Sequence, residues 1–169
     1  MNSRISLPLA LLLLMTAGSL AFFVYYGQWF PPTLAVHFNG AGTADGWMDR
    51  VKFIIIGSSL SFMTPAFVVA CLGVLPRVLP IGMINLPNRA YWLAPERREG
   101  TLRHLLYVAL WLGCLVEAFL LAVWIMIARA NPAGATPHLS ADHAFVVGGF
   151  ILLTASYIVW ISRTFARPR

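Results

Sequence analysis

Four long apolar stretches, separated by shorter polar segments, dominate the pattern of this chain. They cover roughly residues 5–30, 53–75, 105–128 and 144–162. A helix needs about 20 consecutive apolar residues to cross the hydrocarbon core of a bilayer, and each stretch meets or approaches that length. The pattern therefore predicts an all-α integral membrane protein, in which four transmembrane helices form a compact bundle and residues 1–169 make one domain.

The composition agrees with this prediction. Hydrophobic residues make up 59% of the chain and charged residues only 11%, whereas soluble domains carry about 25% charged residues. This excludes a soluble globular domain and a disordered chain. The net charge of +6 could indicate nucleic-acid binding, but the basic residues lie between the apolar stretches, where they meet lipid headgroups. We therefore expect the lipid bilayer, and no nucleic acid, as a partner.

The basic residues also predict the orientation of the bundle. With four spans, both termini and the loop 76–104 share one side, and this side carries nine basic residues, against three on the other. Positively charged loops stay in the cytoplasm. We therefore expect cytoplasmic termini, a cytoplasmic loop 76–104, an outward loop 31–52, and a first span that is an uncleaved anchor rather than a signal peptide.

Residues typical of helix starts refine the predicted spans. Pro95 suits the first position of a helix and Glu96 suits its first turn, so we expect the third helix to begin in the cytoplasm and to extend to Ala128, over about 50 Å at 1.5 Å per residue. Asp45 and Ser140 are predicted to cap the second and fourth helices.

The outward loop 31–52 is predicted to fold as a tight hairpin, because it contains two prolines and three glycines. We interpret Asn39 and Asp45 as turn and cap residues, and Trp47 as an anchor at the membrane interface. The glycine spacing does not match a phosphate-binding loop, and the acidic residues are too few for a calcium loop.

Two motifs in the chain resemble a known family. The outward loop contains His37, Phe38, Asn39, Gly42, Asp45, Gly46 and Trp47. The loop 76–104 contains Pro87, Arg89, Tyr91, Trp92, Pro95, Glu96 and Arg97. Both motifs, and the spacing of four helices, resemble the SdpI-like bacterial membrane proteins, whose N-terminal module is described as a domain of unknown function. Ala35 and Ala44 stand where that family commonly has proline.

The resemblance implies a multi-pass protein of the bacterial cytoplasmic (inner) membrane that is not an enzyme. Known members confer immunity against a secreted peptide toxin and can signal its presence to the cytoplasm. We therefore expect the outward motif to bind an extracytoplasmic peptide or protein ligand. Two alternatives stay open: a small metal-dependent membrane enzyme, and an accessory subunit that binds a membrane-protein partner in a transporter or envelope complex.

His37 is the main candidate for metal chemistry or for a pH-sensitive switch. The loop between the third and fourth spans is predicted to face outward as well. If the two outward loops meet, His37 and His143 could bind zinc together with one of His138, Asp142 or Asp45, since a catalytic zinc site needs three protein ligands. Otherwise we expect no cofactor. The alternative role of His37 is structural, through hydrogen bonds to the backbone of residues 40–42.

Glu117 lies near the middle of the third predicted span. A charge at that depth is costly, so its carboxyl is expected to be protonated, paired or facing water. It could act as a proton relay, bind a substrate, or join two helices as a neutral side chain. The candidate hydrogen-bond partners are Ser61, Thr64, Thr154, Ser156 and Tyr157.

Three smaller features have simple interpretations. Cys71 and Cys114 are predicted to be packing residues. Gly57 and Ser61 have the small-xxx-small spacing of helix packing. The arginines at the start of the third helix are expected to contact anionic lipid; they are Arg97, Arg98 and Arg103.

Overall fold

The computed structural model describes residues 3–166. Four of its helices are long and apolar enough to cross a membrane, which confirms the predicted number of spans. Residues 1–2 and 167–169, which belong to the predicted cytoplasmic termini, lie outside the described residues. The five helices are α1 (Ser3–Tyr26), α2 (Arg50–Val69), the short α3 (Arg89–Trp92), α4 (Pro95–Ala130) and α5 (His143–Ala166).

Between α1 and α2 the outward loop forms two antiparallel strands, β1 (Thr33–Phe38) and β2 (Ala44–Asp49). The hairpin prediction is therefore confirmed, but the fold is not entirely helical. The strands are short and their apolar residues do not alternate regularly, so the sequence pattern indicated a turn without indicating strands. The pairing is irregular on both sides of His37.

The second helix begins at Arg50, later than a cap at Asp45 would place it. Asp49, and not Asp45, is its cap, because the Asp49 carboxylate accepts hydrogen bonds from the backbone N–H of Val51 at 2.9 Å and of Lys52 at 3.2 Å. A cap must directly precede its helix, and Asp45 lies within β2.

The third predicted span corresponds to α4, which begins at Pro95 with Glu96 in its first turn, as expected. Its 36 residues correspond to about 54 Å at 1.5 Å per residue. α4 packs against both α1 and α2 and is therefore the central helix of the bundle.

An aromatic cluster fills the half of this bundle that lies next to the hairpin. The ring of Phe23 on α1 meets those of Phe53 and Trp124 edge-on, at centroid distances of 5.8 and 5.6 Å. Gly57 lies directly against the Phe23 ring, and Trp124 Nε1 donates a 2.9 Å hydrogen bond to Ser61 Oγ. The predicted packing role of the Gly57 and Ser61 pattern is confirmed.

A second apolar cluster lies further along the same helices. It contains Leu12, Leu110 and Cys114, all buried. The Cys114 thiol donates to the carbonyl of Pro8 at 3.4 Å. Cys114 is thus a packing residue, as predicted.

Helix α5 lies against α4 at the edge of the bundle. Phe150 stacks on Phe119 at 4.0 Å, and the Tyr157 hydroxyl donates to the carbonyl of Val108 at 2.8 Å. None of the residues in the most apolar stretch of α5 is buried within the chain. The helix begins at His143, and Ser140 is not its side-chain cap, since its hydroxyl bonds the carboxylate of Asp142 instead.

Candidate functional site

His37 and Asp45 form an exposed pair that could be an ion pair, on the hairpin of loop 31–52. His37 Nδ1 on β1 lies 2.5 Å from Oδ1 of Asp45 on β2, and 74% of the His37 side chain is accessible to solvent. The sequence analysis expected His37 to bond the backbone of residues 40–42, and this expectation was wrong. The partner of His37 is the Asp45 carboxylate. Gly46 is paired with His37, and a Cβ atom there would lie 2.7 Å from His37 Cβ. The glycine makes room for the histidine.

The other motif residues build the turn. Asn39 Oδ1 accepts from the N–H of Ala41 at 2.9 Å and of Thr43 at 3.1 Å, which confirms Asn39 as a turn residue. Gly42 has φ of +79°, and a Cβ atom there would lie 2.5 Å from the carbonyl oxygen of Leu139. Gly42 is therefore required both by its conformation and by the close approach of another segment. Phe38 is half-buried.

The two outward loops meet, as the metal hypothesis requires. The N–H of Leu139 donates to the carbonyl of Gly42 at 2.9 Å, and Thr43 pairs with His138. The contact is made by backbone, however. His143 Nδ1 donates to the carbonyl of Ser140 at 2.7 Å, and no three His, Cys, Asp or Glu side chains in residues 3–166 are placed to hold a metal ion. The predicted zinc site on His37 and His143 is not assembled.

Asn131 fixes the hairpin to the end of α4. Its Oδ1 accepts from the N–H of Ala35 at 2.8 Å, and its Nδ2 donates to the carbonyls of Ala35 at 2.9 Å and Ile127 at 2.8 Å. Asn131 is buried. The sequence analysis missed this residue, although an Asn-Pro pair directly after an apolar span is a signal for an ordered helix end.

Within residues 3–166, no further strand pairs with the opposite edge of the hairpin. In an antiparallel pair, residues alternate between bonding each other and pointing their N–H and C=O groups outward. Ala35 is paired with Trp47 and directs its backbone groups outward to Asn131. The N–H and C=O of Trp47 consequently point away from β1, along the outer edge of β2. The Trp47 residue is 55% exposed.

Glu117 is joined to α1 and not to the helices that we expected. Ser19 Oγ donates to Glu117 Oε1 at 2.5 Å, and both residues are fully buried. Glu117 Oε2 has no hydrogen-bond partner within residues 3–166. Ser61 and Tyr157, two of the expected partners, bond Trp124 and a backbone carbonyl instead. The rotation of each helix about its own axis determines which side chains face Glu117, and the sequence alone does not give this rotation.

The second motif, in the loop 76–104, binds the end of α5. Asn88, in a left-handed conformation with φ of 52°, donates through Nδ2 to the carbonyls of Phe165 at 3.2 Å and Ala166 at 3.0 Å. Trp92 Nε1 donates to the Phe165 carbonyl at 2.8 Å. These donors satisfy carbonyls that the helix end leaves without partners.

The arginines of the same motif have local partners. The Arg97 guanidinium lies 4.1 Å from the centroid of the Tyr91 ring and bonds Glu96 at 2.7 Å. Arg89 donates to the carbonyl of Gly82 at 2.7 Å. These contacts order the segment that leads into α4.

Comparisons with protein-family models, with curated proteins and with solved structures find no match to this chain. The four apolar helices indicate a multi-pass membrane protein. The resemblance to the SdpI-like family stays a prediction that rests on the two motifs.

Proposed function

We propose that this protein is a non-enzymatic member of the SdpI-like family in the bacterial inner membrane, and that its outward hairpin binds a secreted peptide for immunity or signalling. The observation that carries the proposal is the open outer edge of β2 at Trp47. The matching edge of β1 is already occupied by Asn131.

An extended peptide is the ligand that an open strand edge favours. Such a peptide adds a strand through main-chain hydrogen bonds, while neighbouring side chains select its sequence. The exposed indole of Trp47 offers an apolar contact beside this edge. His37 and Asp45 supply hydrogen-bonding groups on the same hairpin.

Helix α4 supports a signalling role. At one end Asn131 follows it and bonds β1. At the other end, the Thr101 hydroxyl of α4 donates to the carbonyl of Trp92 at 2.7 Å, and Trp92 belongs to the second motif. A single helix thus joins the proposed binding surface to the segment predicted to face the cytoplasm.

The test uses two substitutions at one position. Trp47→Pro removes the outward N–H together with the indole, whereas Trp47→Thr removes the indole alone, and proline is tolerated at an outward position of an edge strand. A strain without the gene should grow poorly in medium that was conditioned by the wild-type strain and contains its secreted peptide. Wild-type protein should restore growth, Trp47→Thr should restore it in part, and Trp47→Pro should fail at equal protein level in the membrane.

Three results would each contradict a part of this proposal. Unchanged growth of the deletion strain in conditioned medium would remove the immunity role, and an unchanged transcriptional response to that medium would remove signalling. Equal rescue by all three proteins would show that the β2 edge is not the binding surface.

An accessory subunit is the second candidate, because the apolar stretch of α5 is unburied within the chain and is available to another membrane helix. Glu117 does not contact such a partner, because its side chain is fully buried against Ser19. Stoichiometric copurification of a larger membrane complex in mild detergent would favour this candidate.

A further inference from the structure

A cavity of about 1030 Å³ lies between the first turns of α4 and the last turns of α5. Both helices contribute basic side chains to its lining, and α3 contributes an indole ring. The residues used below are Trp92, Arg97, Arg103, His104, Arg163 and Phe165. This end of the bundle is the one that the distribution of basic residues predicts to be cytoplasmic.

The charges in the lining leave an excess of positive charge. Three arginines face two glutamates there. Glu96 is bonded to Arg97 at 2.7 Å. Glu99 lies 3.7 Å from Arg103 and 3.6 Å from Arg77 outside the cavity, so one carboxylate is shared by two guanidinium groups.

Arg163 has no ion-pair partner among residues 3–166. It approaches from α5, opposite Arg103 on α4. The N–H groups of Arg97 and Arg98 already donate to the carbonyl of Ala94 at 2.9 Å, so the positive charge available to a ligand comes from the arginine side chains that line the cavity. The cavity therefore suits a bound anion with several oxygen acceptors.

Aromatic rings surround the cavity at the same level. His104 stacks near Tyr107 with ring centroids 6.2 Å apart, and lies 6.4 Å from Trp160. Trp92 packs edge-on against Phe165. Tryptophan and tyrosine concentrate at the membrane interface, where lipid headgroups lie.

We propose that this cavity binds the phosphate group of an anionic phospholipid. Arg103 and Arg163 hold the phosphate from opposite helices. Each guanidinium group can donate two parallel hydrogen bonds to phosphate oxygens. The acyl chains lie along the unburied apolar stretch of α5. A phospholipid fits both features, because its anionic head suits the positively charged cavity and its apolar tails cover this stretch.

The experiment is a lipid titration of the detergent-purified protein, followed by native mass spectrometry. Phosphatidylglycerol should bind at least ten times more tightly than phosphatidylcholine. The double variant Arg103→Gln and Arg163→Gln should lose this preference. The control Arg129→Gln removes an exposed arginine at the opposite end of α4 and should retain it. Unfolding without added lipid should be unchanged in every variant, because the three arginine residues are exposed.

Three outcomes would overturn the assignment. The first is equal binding of the two lipids by the wild type, and the second is an unchanged preference in the double variant. The third is displacement of phosphatidylglycerol by equimolar glycerol phosphate, which would assign the cavity to a soluble phosphate ester. If the double variant instead loses a copurifying cytoplasmic protein and keeps its lipid, the cavity is a protein interface.

Discussion

Ser19 on α1 and Glu117 on α4 form a 2.5 Å hydrogen bond between two fully buried side chains. Glu117 is three residues beyond Cys114 of the second apolar cluster and seven before Trp124 of the aromatic cluster. The pair is therefore a polar contact between two apolar layers, at the depth where a spanning helix is furthest from water.

The strength of this pair can be measured with a double-mutant cycle. Glu117→Gln should unfold like the wild type, because its amide oxygen still accepts from Ser19. Glu117→Leu and Ser19→Ala should show a coupling free energy of about 0.6 kcal/mol, the average for interhelical hydrogen bonds in lipid. Reversible unfolding in mixed micelles measures this value.

Glu117→Gln also separates the two roles considered for this carboxyl. A side chain that only joins helices keeps function when its amide still bonds. Loss of function in Glu117→Gln at normal protein level, combined with normal unfolding, would assign Glu117 to proton transfer instead.

Asn131 is expected to be a main stabilising residue at the hairpin end of the bundle. Asn131→Ala removes three hydrogen bonds and leaves the backbone groups of buried Ala35 without partners, so the free energy of unfolding should fall by about 1–3 kcal/mol. Limited proteolysis should cut the hairpin faster. Asn85→Ala, at an exposed position, is the control. Equal protease resistance in both variants would show that the hairpin does not depend on α4.

Gly57 tests the packing of the aromatic cluster. A Cβ atom at Gly57 would collide with the Phe23 ring, whereas a Cβ atom at Gly18 on α1 meets nothing within 4 Å. Gly57→Ala should lower the free energy of unfolding by about 1–3 kcal/mol through overpacking. Gly18→Ala should be neutral or slightly stabilising. The same stability for both variants would mean that α1 and α2 do not pack as described.

The spans and the hairpin could be predicted because each depends on local chemistry. Apolar runs of spanning length form helices in lipid wherever the helices then pack, and Pro95 fixes the start of α4 regardless of its neighbours. The residues of the hairpin turn, such as Asn39, act through bonds to the adjacent backbone, so their role was also predicted correctly.

The contacts between elements could not be predicted in the same way. Ser19 lies within an apolar span, and only the rotation of α1 against α4 brings it to Glu117. Asn131 acts on Ala35, which lies 96 residues earlier in the chain. The cap of α2 was assigned to Asp45 because the residues of β2 do not alternate clearly between apolar and polar. The sequence therefore did not show that a strand separates Asp45 from the helix.

The orientation of the bundle decides both proposals, because the hairpin must face the outside to meet a secreted peptide and the arginine-lined cavity must face the anionic inner leaflet. Gly40 in the hairpin turn and Gly82 in the loop 76–104 are both exposed, and a Cβ atom at either meets nothing within 4 Å. Single cysteines at these positions, in a background with Cys71 and Cys114 changed to alanine, can be treated with a membrane-impermeant maleimide in intact cells. We predict that Gly40→Cys is labelled at once and that Gly82→Cys is labelled only after the membrane is opened. Labelling of Gly82→Cys in intact cells, with Gly40→Cys protected, would contradict the orientation.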